Sequence, residues 1–321
     1  MLIKNLYDLP ALKRFVDSRN QRGFTDSYTG TILARNLTAI DPQIFEKKYP
    51  ELSFVNSGIT ADNTGGYVQR IQSLRLRGQG GFKTSGDQSG NRGKISLAGE
   101  DNTILVIERS AESDWSDTEI EQAAISNINL PSRYIEEHNK IYLREVDYIG
   151  YLGVPDKGTK GLLNYTGWTS AAATGAIGTL TARQMYDDIA GLIVAQHNAV
   201  NNTPEYMATN VDMPIYALNT LAVTILDSAA GAASVLSALK SSFPGVQFRA
   251  TFRADDAGGT GVSHTIAYST NTEAMKMRIP QPLKIGEIIK RGSFDFHVDS
   301  KYRIAGLDVL EDTAAYILTG L

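Results

Sequence analysis

YVQRIQSLRLRGQGGFKTSGDQSGNRGKISLAGEDNTILVIERS, residues 67–110, is the stretch that decides the architecture. Its first part reads as a strand, with Val68, Ile71, Leu74 and Leu76 apolar and Arg70, Arg75 and Arg77 pointing elsewhere. Its last part reads as a returning pair of strands, in which Ile104, Val106 and Glu108 show the alternation. Between them, six of the sixteen residues from 78 to 93 are glycine. A loop that rich in glycine builds no core of its own. Two arms carrying such a tip project beyond any domain that holds them.

The hairpin is charged one way. Between 66 and 95 the bases Arg70, Arg75, Arg77, Lys83, Arg92 and Lys94 stand against one acid, Asp87, a net of +5. The following stretch, 108–121, carries Glu108, Glu112, Asp114, Asp117, Glu119 and Glu121 against Arg109, a net of −5. Opposed blocks can attract within one chain, and charge runs are commonly solvated faces. If the hairpin projects, the partner of the basic block is the acidic block of the next copy. Complementarity of that kind fixes register and partner more than it adds affinity. These residues are therefore the candidate inter-subunit contacts, the bases on the hairpin and the acids as acceptors.

Towards the N-terminus, residues 1–20 suit a short amphipathic helix interrupted by Pro10. Residues 21–66 show no sustained period apart from a small helix around Pro42–Lys48. An arm without a core must be ordered by something else, such as a neighbouring subunit. On the other side, Asp117 or Thr118 is expected to cap a helix running to about Asn127. From Pro131 to about Leu152 the spacing predicts the longest helix, with Ile135, Tyr142, Val146, Ile149 and Leu152 on one stripe. Glu136 and Lys140 are an i,i+4 pair on its other side, and Gly153 with Pro155 ends it. Thr181 to Val200 predicts another helix, burying Met185, Ile189, Leu192 and Ile193. Residues 205–270 read as a compact α/β unit. There MPIYALN (213–219) is expected as a strand, 219–241 as helical, and HTIAYST (264–270) as a strand. VQFRATFR (246–253) is expected as a strand turning Val246, Phe248, Ala250 and Phe252 inward. Alternating strands dominate 274–321, so the fold class is α+β.

Composition narrows the function. The 321 residues are 42% hydrophobic and 21% charged, enough for one large domain or two smaller ones. A net charge of −4 argues against a protein built to coat nucleic acid. The absence of cysteine excludes disulfides and thiolate metal sites. No stretch approaches the ~18 apolar residues of a membrane span, and the charged start MLIKNLYDLPALKRFVDSRNQ is not expected to be a secretory signal. The histidines, His138, His197, His264 and His297, show no HxxH or HExxH spacing. GVSHT (261–265) falls one residue short of a nucleophile elbow, so Ser263 and His264 read as hairpin residues rather than a catalytic pair. Asp255 and Asp256 read as turn residues rather than a cation shell. GQGGFKTSG lacks the GK[ST] ending of a phosphate loop. No catalytic, cofactor-binding or metal-ligating residue is expected.

Four runs resemble a known family. They are LTAIDPQIFEKKYPELSF (37–54), VIERSAESDWSDTEIEQAA (106–124), GLLNYTGW (161–168) and, most specifically, RIPQPLKIGEIIKRGSFDFHVDSKYRIAGLDVL (278–310). In order across 37–321, they resemble segments of tailed-phage major capsid proteins with the Hong Kong 97 type fold. The resemblance implies an N-terminal arm at 1–60 and an extended E-loop hairpin at 61–113. It implies a peripheral domain with a long spine helix at 114–204 and 275–321, and an axial domain at 205–274. The implied function is self-assembly into hexamers and pentamers of an icosahedral shell, without cofactor, in the host cytoplasm. That shell encloses double-stranded DNA without sequence-specific contacts and without a membrane. No long charged helical segment precedes residue 37, so either a separate scaffolding protein is implied or the arm itself does that work, with a portal and decoration proteins as further partners. The rival readings are an encapsulin-like nanocompartment shell and a Ser263-dependent hydrolase.

Overall fold

The computed structural model describes residues 52–83, 93–125, 128–227, 233–259 and 261–321, all within one unit spanning Tyr49–Leu321. The expected helices over 1–20 and Pro42–Lys48, and the glycine-rich tip with Arg92, lie outside these residues. In chain order come β1 (Ala61–Asp62), β2 (Arg70–Gly80), β3 (Ile95–Leu105), β4 (Ile107–Ser116), α1 (Asp117–Ile125) and α2 (Leu130–Leu152). β5 (Thr169–Ala172) and α3 (Ala182–Ala199) follow, then β6 (Asn210–Met213) and α4 (Ile215–Val223). Next are the short pair β7 (Ile225–Asp227) and β8 (Ala233–Ser234), then α5 (Val235–Ser242) and β9 (Gln247–Ala250). The remainder is largely strand: β10 (His264–Tyr268), β11 (Met275–Arg278), β12 (Gln281–Ile285) and β13 (Ile289–Arg291). β14 (Asp295–Ile304), β15 (Gly306–Val309) and β16 (Ala315–Thr319) complete it.

α2 starts and stops where its chemistry dictates. Asn129 accepts the Ser132 N–H at its N-terminus, and Pro131 occupies the first turn, where no donor is needed. At its other end Gly153 takes φ 70° and returns its N–H to the Ile149 carbonyl at 2.8 Å. The helix lies across the β4–β14 ladder, whose register runs from Ile107 opposite Ile304 to Ser116 opposite Asp295. Alternation turns Ser113 and Trp115, with Ser300 and Tyr302, towards α2. There Trp115 stacks on Tyr134 at 4.9 Å, His138 bridges Ser113 and Ser300, and Tyr302 donates to Glu145.

A five-stranded sheet, ordered β5-β16-β10-β6-β9, separates two cores. Ile266, Tyr268 and Ile317 face the core that includes Ile149 and Tyr151 of α2. Val211, Met213, Ala267 and Leu318 face the other, with Leu192 and Ile193 of α3 and Leu239 of α5. The sheet thus draws β5 and β16 from outside the 205–274 segment. Residues 53–57 are tied to this body. The Phe54 N–H donates to Asp147 at 3.0 Å, its ring meets Tyr151 edge-on, and Asn210 holds the Ser57 carbonyl at 2.7 Å. Burial pushes the Tyr151 and Tyr268 hydroxyls up, so both stay protonated and donate to the buried Asp212.

Three local expectations are corrected. MPIYALN is helical from Ile215, with Pro214 at the N-cap, and NVDM, not MPIYALN, supplies the strand. The strand in VQFRATFR stops at Ala250, and Phe252 opens a short 3-10 turn with the Thr251 hydroxyl accepting the Arg253 N–H. Ser116, rather than Asp117 or Thr118, caps α1: it exchanges hydrogen bonds with Glu119 in both directions, a capping box.

Candidate functional site

β2 and β3 pair antiparallel from Arg70 opposite Leu105 to Gly80 opposite Ile95, and among the described residues they form a sheet of their own. Eleven residues per strand make each arm ~37 Å at 3.4 Å per residue. Directly opposed residues share a face, so the register sorts the hairpin into two faces. One carries Leu74 and Leu76 with Ile95, Leu97 and Leu105; the other carries Ser73, Arg75 and Arg77 with Asn102.

The polar face is bound to the body of its own chain. Asp308, fully buried, accepts the Ser73 hydroxyl at 2.7 Å, the Asn102 amide at 3.0 Å and Arg278 Nε at 3.0 Å. Arg278 also reaches Asp62, which the Thr64 hydroxyl and N–H, then the Arg278 charge, hold below the usual carboxylate range. Arg75 donates to the Val309 carbonyl at 2.5 Å and lies 3.6 Å from Asp312, while Arg77 lies 3.6 Å from Glu311. These two bases thus find acids at 311–312 of their own chain.

The apolar face is open to solvent. Leu74, Leu76, Ile95 and Leu97 are 62%, 64%, 64% and 74% exposed. Opposite Leu76 stands Gly99, and the ends of the Leu74 and Leu76 side chains lie over it. Arg70, expected to point away from the leucines, shares their face by register and is exposed. Phe82, Lys83 and Lys94 near the tip are exposed as well. Alternation of Leu74 and Leu76 with Arg75 and Arg77 was the sequence signal for this amphipathicity.

The acidic block divides between structural and open positions. Glu108, Glu112 and Asp114 lie on the face of β4 turned away from α2. Glu108 pairs with Arg303 at 3.2 Å, and Asp114 takes His297 Nδ1 at 2.5 Å. That bond, and the one from Asp299, push the His297 imidazole up. Asp117 gives its N–H to the Phe294 carbonyl, Glu119 serves the helix cap, and Glu112 and Glu121 are exposed. Ser263 Oγ donates to the Leu321 carbonyl at 2.8 Å and His264 Nδ1 faces the Leu163 carbonyl at 2.8 Å, so each is engaged with backbone.

A family model for the major capsid protein matches residues 86–321. The chain belongs to the major capsid protein family. The capsid of Myoviridae phage XM1 is 43% identical over 90% of this chain and 98% of its own, with a TM-score of 0.82. The capsid of a native GTA particle (13% identity, TM-score 0.67, 87% and 95% covered) shares the fold. So does a structure of Mycobacterium phage Ogopogo (12%, 0.60, 88% and 96%). No curated protein sequence matches the chain. Its fold is therefore of the Hong Kong 97 type, and its role is that of a self-associating subunit of a tailed-phage virion shell. These likenesses do not favour the nanocompartment reading. Among the described residues no helix is long and apolar enough to cross a membrane.

Proposed function

We propose that this capsid subunit joins its neighbours through the leucine face of the β2–β3 hairpin, building hexamers and pentamers of an icosahedral shell around double-stranded DNA. The observation that carries the reading is a hairpin anchored by its polar face and bare on its apolar one. A two-stranded hairpin is marginal in water without a covering layer. Each leucine or isoleucine taken from water contributes about 1.5–3 kcal/mol, so a neighbouring copy supplies what the chain's own body does not. Arg70 and Lys94 then form a basic rim facing Glu121 of the next copy, and this rim sets register. The arm at 1–60, the E-loop at 61–113, and the peripheral and axial domains are the layout that serves this assembly. The axial unit, as we read it, extends to β5, α3 and β16, which complete its sheet and core. A separate scaffolding protein, a portal and decoration proteins are the remaining partners, with assembly in the host cytoplasm, and the subunit itself performs no catalysis.

The test is a double variant, Leu76→Glu with Leu97→Glu, viewed by electron microscopy after expression with the other shell components. We expect a folded subunit by circular dichroism and no closed shells. Normal shells from this variant would remove the leucine face from the reading.

A further inference from the structure

His297, Asp299, Asp114 and Glu112 form a two-by-two array on the outward face of the β4–β14 ladder. Residues 297 and 299 are two apart on β14, and Asp114 and Glu112 are their direct cross-strand partners. The His297 ring is 6% exposed, with Nδ1 2.5 Å from Asp114 Oδ1 and Nε2 2.7 Å from Asp299 Oδ1. Donor atoms of Glu112, His297 and Asp299 all lie within 4.8 Å of one another. A neutral imidazole has one donor nitrogen and one acceptor nitrogen. Held between two carboxylates, it satisfies one of them and turns a lone pair on the other. A positive charge is therefore required at the second nitrogen. A divalent ion can take that position, with the carboxylates of Asp299 and Glu112 beside it.

We propose that Glu112, His297 through Nε2, and Asp299 bind one divalent transition-metal ion of the zinc or manganese type. Imidazole and carboxylate together suit such ions, whereas calcium asks for six to eight oxygens. Asp114 acts as the orienting carboxylate on Nδ1, the support that a metal-bound histidine ordinarily has. Three protein ligands leave a coordination position open to water or to a neighbouring copy. The ligands sit on a long paired ladder, which fixes their backbone positions relative to one another. Bound metal would staple β4, the strand that continues from the hairpin, to β14. No local spacing announces the site, because Asp114 and His297 are 183 residues apart in sequence.

The test is calorimetric titration of the metal-stripped full-length chain with ZnCl2, with elemental analysis after dialysis. One Zn2+ per chain is expected. Asp299→Asn and Glu112→Gln, both at exposed carboxylates, should each weaken binding at least about tenfold, and Asp114→Asn by about 10–100-fold. Glu108→Gln, on the same face beside Arg303, should leave affinity unchanged. CaCl2 should bind more weakly than ZnCl2. Absence of saturable Zn2+ binding would overturn the proposal. So would binding indifferent to the Asp299 and Glu112 changes in chains that circular dichroism shows folded, or a preference for Ca2+.

Discussion

Asp308 is the residue on which the hairpin turns. It is fully buried, yet it accepts from Ser73 and Asn102 on the hairpin and from Arg278 beneath it. Removing one partner of a buried charged pair strands the other, at a cost of about 3–5 kcal/mol. Asp308→Ala is therefore expected to lower the melting temperature of the unassembled chain markedly in scanning calorimetry; an unchanged transition would contradict the anchor. Arg77 with Glu311, more exposed, contributes ~0–1 kcal/mol by comparison. The sequence showed six bases in one block and grouped them by charge alone. Geometry separates them: Arg75 and Arg77 hold the hairpin down, while Arg70 shares the leucine face. That division depends on Asp308, Glu311 and Asp312, and Ser73 lies 235 residues from Asp308, beyond any local pattern.

α2, β14 and the hairpin strands were legible because periodicity and punctuation agreed. Asn129, Pro131 and Gly153 bracket a stripe of apolar positions, and their chemistry is local. MPIYALN was misread because a short apolar run carries no period that distinguishes strand from buried helix. The close fit of the 52–58 strap against α2 was not legible either. Phe54 lies on Gly150, where any side chain would overlap its ring. On an open helix surface, alanine in place of glycine would be stabilising by about 1 kcal/mol. Here overpacking decides, and Gly150→Ala is expected to destabilise by about 1–3 kcal/mol. Phe54→Ala should relieve part of that loss in a double-mutant cycle measured by denaturant unfolding. A stabilising Gly150→Ala would show that the strap does not pack there.

At the scale of the whole molecule, two cores close on either side of one sheet and the leucine face of the hairpin is left exposed. On the function proposed above, that exposed leucine face is covered by a neighbouring copy. Sequence and family resemblance named the assembly; the charge blocks grouped Arg75 and Arg77 with contacts to other copies, whereas both lie beside acids of their own chain. Because the chain has no cysteine, one introduced thiol reports on one position without interference. The most direct measurement is therefore the maleimide labelling rate of Leu97→Cys in unassembled subunits and in closed shells. Fast labelling of the free subunit and strong protection in the shell are expected. Equal rates in both would show that the leucine face is not where copies meet.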